Sequence, residues 1–307
     1  MKKSKLIFVV GPTASGKTGL AVELAKKLNG EIVSADSMQI YKGMSVASAA
    51  PTKEEMQGIP HHLIEFLSDD VNFTVSDYVK AAREKIENII ARGKTPIVAG
   101  GTGLYVDSLA NNVEFVEGET DLALREELEC RFDTLGAEEM LRRMNEFDPI
   151  SAAKLHPNDR RRIIRVFELY EGLGVSKSKQ DVLSIQNESP YENIIIGLNY
   201  KNREILYDRI NRRVDTMVQN GLVDEAKRHF ENRALGGAVQ AIGHKELFLY
   251  FEGSITLEEA VENLKRATRR YAKRQITWFS RNEDINFIYP DETENVLEEA
   301  LSIIERK

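Results

Sequence analysis

Cysteine occurs once in the 307-residue chain, at Cys130, so neither an intrachain disulfide nor a cysteine zinc cluster can form. No apolar stretch approaches the ~20 residues that span a bilayer. The amino terminus, MKKSKLIFVV, imitates a secretory leader, but its apolar core is only the five residues LIFVV. A glycine-containing loop follows at once, so Leu6–Val10 reads as a buried strand and the expected compartment is the cytosol. Positive charge is in deficit: 42 Lys and Arg against 49 Asp and Glu leave a formal −7. That balance argues against indiscriminate nucleic-acid binding while permitting a local basic face. Repeats and low-complexity tracts are absent as well. What remains is 42% hydrophobic and 30% charged, the composition of a soluble globular protein long enough for a full core and a second lobe.

Leu6–Val10 has the continuous apolar pattern of a parallel strand buried on both faces. Helical spacing follows over Thr18–Leu28, then a second strand over Ile32–Ala35 that ends at Asp36. Thr74 and Asp77 form a capping box that opens a helix reaching Arg92-Gly93, and Pro96–Ala99 makes a third strand. Strand–helix alternation of this kind implies right-handed crossovers and a parallel sheet. From about Asn112 to Pro190 the rhythm breaks into charged helical segments such as Leu122–Phe132 and Arg160–Tyr170. Ile194–Leu198 restores the strand pattern, followed by long helices over Arg203–Gln219 and Thr256–Ser280, a strand near Asn286–Tyr289 and a final helix. The expected division is a core over 1–111 and 191–307, interrupted by a helical insertion over 112–190.

Directly after the first strand the chain reads GPTASGKT. In Gly11, Pro12, Thr13, Ala14, Ser15, Gly16, Lys17 and Thr18, successive backbone N–H groups would point at phosphate oxygens where a helix begins. Lys17 would neutralise charge, and Thr18 would offer its hydroxyl to a magnesium ion. The fold class expected is therefore α/β, a P-loop NTPase-like parallel sheet flanked by helices, with an all-helical insertion.

An acidic magnesium ligand at a second strand end, usual in nucleotide hydrolases, is missing. The strand in PIVAGGTGLY ends in glycines and Thr102. Asp36 instead closes the second strand, on the rim that strand ends share in a doubly wound sheet. There it would take a proton from a nucleophile, hold magnesium through water, or simply cap a turn with Ser37. Gly100, Gly101 and Gly103 suit either a tight turn or a backbone lying close to a ligand.

Between Arg266 and Arg281 no acid occurs, while Arg269, Arg270, Lys273 and Arg274 crowd one helix and Trp278 follows. A second basic run, Arg160, Arg161, Arg162 and Arg165, lies in the insertion. Each is either a solvated face or a polyanion surface, and together they favour the polyanion. Arg209 and Arg213, one helical turn apart, read equally as surface pairs or as a clamp on a diphosphate. His61 and His62 are adjacent, so their side chains diverge and make a poor metal pair.

GPTASGKT, ADSMQIYKGM, PHHL, GGTGLYVDSL, HPNDRRRIIR, NRRVDTMVQNGLVDE, QAIGHKE and KRQITWF occur in this order across nearly the whole chain. Together they resemble the bacterial tRNA dimethylallyltransferases, the tRNA isopentenyltransferase family, which prenylate the adenosine beside the anticodon. The resemblance implies dimethylallyl diphosphate as donor, held with Mg2+ by the phosphate loop, and a tRNA anticodon stem-loop as partner. It makes Asp36 the base facing the adenine amine, with Thr102 beside the reacting groups and Lys17 on the leaving group. It assigns tRNA contacts to Asp36, Ser37, Met38, Gln39, Thr102, Arg125, Arg160, Arg161, Arg162, Ile163 and Ile164. A second group of contacts is Gln240, Ala241, Ile242, Gly243, His244, Lys245, Lys273, Arg274, Gln275 and Trp278, and the insertion would grip the stem. A monomer without membrane association is expected. The chain departs from the family where YKGMDIGTAKP is usual and YKGMSVASAAP stands here: Ser45, Ala47, Ser48 and Ala50 replace aspartate, glycine, threonine and lysine. Two rivals explain the loop alone: a small-molecule kinase with Asp36 as base, and an NTP-driven RNA-binding switch.

Overall fold

The computed structural model describes residues 3–115, 121–184, 188–231 and 242–307. Residues 1–110 with 189–307 form one compact unit, and residues 111–188 form a second. Among the described residues no helix is long and apolar enough to cross a membrane.

The first unit begins with β1 (Ser4–Val10), α1 (Lys17–Lys27), β2 (Gly30–Ser34), α2 (Lys53–Met56) and β3 (His61–His62). It continues with α3 (Val75–Ala91), β4 (Thr95–Gly100) and α4 (Gly103–Ala110). The second unit holds α5 (Leu122–Leu135), α6 (Ala137–Phe147), α7 (Pro149–Lys154), α8 (Arg160–Leu173) and α9 (Lys177–Ser184). The first unit then resumes with β5 (Tyr191–Leu198), α10 (Arg203–Gln219), α11 (Leu222–Glu231) and α12 (Lys245–Phe251). It closes with α13 (Leu257–Phe279), β6 (Asn286–Ile288) and α14 (Val296–Arg306).

The six strands pair in the order β3-β2-β4-β1-β5-β6, all parallel. Central β1 sets Ile7 opposite both Ile97 of β4 and Ile194 of β5. Ile7 and Val9 join a buried cluster with Leu20 and Leu24 of α1 and Ile304 of α14. Leu6, Phe8 and Val10 alternate with them, point to the opposite face and are fully buried as well. That two-sided burial is why β1 reads as an unbroken apolar run. The capping boxes at Thr74/Asp77 and Thr256/Glu259 fix the starts of α3 and α13 as expected.

The structure adds elements that the pattern did not reveal. β5 starts at Tyr191 rather than Ile194, because residues 191–193 pair with Ser4–Leu6. Helices α11 and α12 lie where no element was expected; both are short and gain their burial from each other and from α13. His61 and His62 form a two-residue edge strand. The His62 ring Nε2 lies 2.8 Å from Glu31 on β2, and His61 Nδ1 lies 2.9 Å from the Ile59 carbonyl.

The second unit packs α5, α6 and α8 around Leu128, Phe132, Met140, Met144, Ile163, Ile164 and Phe167. Asp148 caps α7, accepting from Ser151 N–H at 3.1 Å and from the Ser178 N–H in the first turn of α9 at 2.9 Å.

Glu31 is 2% exposed, yet it anchors β2 to its neighbours. It accepts from Arg92 Nη2 at 2.7 Å and Lys94 Nζ at 2.7 Å, besides His62. The Arg92 guanidinium holds its carboxyl far below the usual range, burial opposing and Lys94 and His62 assisting. A carboxyl depressed on folding stabilises above its unfolded value of 4.5 and loses that contribution as pH falls further. Glu31→Gln should therefore cost about 2–3 kcal/mol at pH 7, less than a wholly buried pair because Arg92 and Lys94 stay partly solvated. Urea unfolding should show the gap to wild type narrowing below pH 4.5; a gap that ignores pH would mean packing, not charge, is responsible.

Candidate active site

Gly11 leaves β1 with φ +142°, and a Cβ there would lie 2.2 Å from the Leu198 carbonyl oxygen of β5. The loop then turns through Ala14 (φ +62°) and Gly16 (φ +99°) into α1, whose first residue is Lys17. Only glycine meets the first demand, because both the space and the backbone angle exclude a side chain. Lys17 Nζ donates to the Pro12 carbonyl at 2.6 Å. Burial, together with the Arg213 charge, pushes the Lys17 ammonium down to about 7, with Asp36 opposing.

Two arginines of α10 stand beside this loop. Arg209 Nε donates to Ala14 O in the loop at 2.9 Å, and Arg213 Nη2 to Ala49 O in the neighbouring segment at 3.2 Å. Arg212 between them pairs with Asp208. Neither Arg209 nor Arg213 joins an ion pair among the described residues, an arrangement that favours a clamp over surface pairing. Burial lowers the Arg213 pKa without a bonded acid to compensate, although Asp36 and Glu55 lie within its field.

Two cavities of the first unit meet at a wall made by Lys17, Thr18, Ala49, Arg213 and Met217. One, about 620 Å³, is lined by the phosphate loop from Ala14 onward, Arg209, Arg212 and Thr52. The other, about 350 Å³, is lined by Asp36, Ser37, Met38, Gln39, Tyr271, Arg274 and Gln275 and by the apolar Ile210, Val214, Ile242 and Leu264. Ser15 lines the first and Ser48 the second, and the buried Oγ of each has no hydrogen-bond partner among the described residues.

Asp36 follows β2. Its Oδ1 accepts from Met38 N–H at 2.9 Å and more weakly from Gln39 N–H at 3.4 Å, so it does cap a turn. Its other oxygen is engaged by no hydrogen bond among the described residues, which leaves it available to a bound group. Thr102 Oγ1 accepts from Ser37 N–H at 3.0 Å and donates to Ser37 Oγ at 3.3 Å, tying the β4 loop to the β2 loop. The glycines beside Thr102 make room for the protein itself. A Cβ on Gly100 would strike Ala35 backbone, one on Gly101 the Gln275 amide, and one on Gly103 the Trp278 ring.

Helix α13 crosses this rim with one face. Gln275 accepts from Thr13 N–H at 2.8 Å and donates to Gly101 O at 2.9 Å. Tyr271 lies beside Thr102; burial and the nearby Asp36 charge raise its pKa well above the ordinary value, so its hydroxyl stays protonated. Trp278 donates from Nε1 to Asp107 at 2.7 Å and packs on Gly103 rather than standing free. Lys273 and Arg274 are exposed, and Lys245 also lines the smaller cavity.

Several expected contact residues have other engagements. Ile163 and Ile164 are core residues of the second unit, and His244 is fully buried, so their side chains are not presented to a partner. Gly243 takes φ +115° against Ala47. In the second unit, Arg160 pairs with Asp133 and lies over the Phe132 ring, and Arg125 bonds Glu168 at 3.1 Å and Glu129 at 3.3 Å. Arg161 and Arg162 are exposed on α8. Gln240 and Ala241 lie outside the described residues. Sequence reasoning missed Tyr271 and Thr268, whose spacing with Gln275 places all three on one face of α13, a signal that was present.

A family model described as IPP transferase matches residues 39–283. The tRNA dimethylallyltransferase of Caldanaerobacter subterraneus subsp. tengcongensis is 47% identical over 94% of this chain and 92% of its own. The crystal structure of the full-length tRNA isopentenylpyrophosphate transferase from Bacillus halodurans is similar with a TM-score of 0.71 at 41% identity, covering 99% of this chain and 95% of that one. A eukaryotic dimethylallyltransferase acting on tRNA gives a TM-score of 0.83 at 29% identity over 98% of this chain and 79% of that one. The family model matches well over half of the chain and the relatives match it along nearly its full length, so the chain belongs to the IPP transferase family of tRNA dimethylallyltransferases.

Proposed function

We propose that this chain transfers the dimethylallyl group of dimethylallyl diphosphate to the exocyclic amine of the adenosine 3′-adjacent to a tRNA anticodon, releasing diphosphate. One observation carries the reading: an anion cradle, an apolar slot and an unengaged carboxylate oxygen lie in two adjoining cavities that share Lys17, Thr18, Ala49, Arg213 and Met217. The loop N–H groups, Lys17, Arg209 and Arg213 suit the diphosphate. Ile210, Val214, Met217, Ile242 and Leu264 suit a short branched hydrocarbon next to it.

In the reaction the allylic carbon–oxygen bond breaks, and the diphosphate leaves with the bonding pair. The adenine nitrogen forms the new bond to that carbon, and its proton passes to Asp36 and then to water. The amine is a weak nucleophile, so orientation by Asp36 counts as much as basicity. A stacked base cannot reach the rim, so the nucleotide must flip out, with the basic face of α13 suited to the displaced strand. Exposed Arg161 and Arg162 on α8 suit the phosphates of the stem. Every group named for the chemistry comes from one unit of one chain, which fits action as a monomer.

The donors also fit a magnesium ion. Thr18 and Asp36 line the cavity, while no group of three or more His, Cys, Asp or Glu that could hold a metal gathers among the described residues. Such a set suits an ion that arrives on the diphosphate rather than a resident one, and when bound it would neutralise charge on the leaving group.

Unmodified tRNA incubated with dimethylallyl diphosphate should gain the mass of one dimethylallyl group, and with ATP should gain nothing. No gain with the prenyl donor, alongside phosphoryl transfer or hydrolysis with ATP, would assign the site to a kinase or switch instead. Asp36→Asn should lower turnover on the order of 10²–10⁴-fold while leaving the tRNA Kd nearly unchanged; a parallel loss of binding would make Asp36 an RNA ligand rather than a base.

The lowered Lys17 pKa sets a proton linkage. Near pH 8 the ammonium, with its value of about 7, is mostly neutral in the free protein. Diphosphate favours the charged form, so binding takes up a proton through Lys17 above that pH and not below it. Calorimetry of inorganic diphosphate in buffers of different ionisation enthalpy should show roughly one more proton taken up by wild type than by Lys17→Arg at pH 8. At pH 6 the difference should vanish. Equal uptake at both pH values would show that Lys17 is already charged when the anion arrives.

A further inference from the structure

The wall between the two cavities is held from behind. Glu225 on α11 is 2% exposed and accepts from the backbone N–H groups of Val46 at 2.9 Å and Ala47 at 2.8 Å, one on each carboxylate oxygen. Fully buried His244 places Nε2 3.0 Å from the same oxygen that Ala47 uses. Its ring stacks on His229 at 4.5 Å, and His229 Nε2 lies 3.3 Å from the Gly43 carbonyl at the start of the segment. Burial alone would push the Glu225 carboxyl up, but His244 and the two backbone N–H groups outweigh it and hold the group below its usual range. Glu225 is therefore a carboxylate in the interior, stripped of water and matched to donors.

Within the wall itself, the Ala49 carbonyl accepts from Arg213 Nη2 at 3.2 Å and from Gln39 Nε2 at 3.4 Å. A short covalent path thus links the residues that Glu225 grips to the carbonyl that aims the guanidinium at the phosphate loop. Helix packing does not require such a charge, since a buried acid adds little to stability over an apolar residue of similar size. Here each of two successive N–H groups has a carboxylate oxygen of its own, which fixes the orientation of that backbone as well as its distance.

We infer that Glu225 is a positioning residue for the donor diphosphate: it fixes residues 46–47 through their backbone and so holds Ala49 O and Arg213 in place. The inference rests on Arg213 being a diphosphate ligand. Glu225 touches neither substrate, and its effect is transmitted through the wall, much as groups behind a metal ligand orient it.

Inorganic diphosphate titrated calorimetrically into wild type, Glu225→Gln, Arg213→Lys and the double variant separates the possibilities. Glu225→Gln should weaken binding roughly tenfold, and the double variant should bind no more weakly than Arg213→Lys alone, because both changes disable one arm. Wild-type affinity in Glu225→Gln, or losses that multiply in the double variant, would overturn the inference and leave Glu225 a structural acid. Should Glu225→Gln fail to fold, Glu225→Asp keeps the charge but is too short to serve both N–H groups; it should show a smaller loss, and unchanged affinity would overturn the inference equally. Wild type that binds no diphosphate is a separate result, since it would refute the donor reading itself.

Discussion

A single buried amide sets the spacing on which the site depends. The side chain of Gln275, 6% exposed, accepts from the N–H of Thr13 in the phosphate loop and donates to the carbonyl of Gly101 after β4. Parallel pairing brings these loops to the same rim, but the β1–β4 pairing ends at Val10 and Gly100, and no further ladder joins these two loops among the described residues. The amide supplies that ladder's continuation. Because Gln275 sits on α13, it also fixes how that basic helix crosses the rim, so the anion cradle and the polyanion face are set by the same two bonds. Thr102 makes the matching link to the β2 loop, and with it to Asp36.

What could be read in the sequence was what is local. The phosphate loop, the strand ending at Asp36 and the capping boxes at Thr74 and Thr256 are each specified within a few residues, so their types and order are visible without the fold. The glycines around Thr102 read either as a tight turn or as backbone lying close to a ligand, whereas they lie against the protein's own residues. The groups that approach, Ala35, Gln275 and Trp278, come from other elements. Helices α11 and α12 escaped notice because neither is long enough to show a sustained period and their burial is mutual. Glu225 was invisible for a related reason. An acid on an amphipathic helix reads as solvated, and only the fold brings Val46 and Ala47 to it.

The chain handles buried charge in two opposite ways. Glu31, away from the site, is surrounded by Arg92, Lys94 and His62 and is fully satisfied. Lys17 and Arg213 are half-buried with no acid bonded to them among the described residues, and both have lowered pKa values. Uncompensated cations taken partly out of water cost stability, and they persist where a ligand completes them. This is how a chain of net charge −7 presents a cationic pocket: the positive charge is local, concentrated on Lys17, Arg209 and Arg213, none of which joins an ion pair among the described residues.

The same distinction between side chain and backbone bears on the segment YKGMSVASAAP. Relative to the usual family pattern it lacks one acid and one base, so the pocket's net charge is unaltered by the pair of changes. The structure also shows what the segment contributes: the N–H groups of Val46 and Ala47 toward Glu225, and the carbonyl of Ala49 toward Arg213 and Gln39. All of these are main-chain groups, which any residue except proline provides. Where side chains do matter, the fit is tight: Gly243 takes φ +115°, and a Cβ there would lie 3.1 Å from the Ala47 Cβ, so position 243 calls for glycine against this segment. Toward Glu225 and Arg213 the segment works as a shaped piece of backbone, and its side-chain changes leave those hydrogen bonds in place.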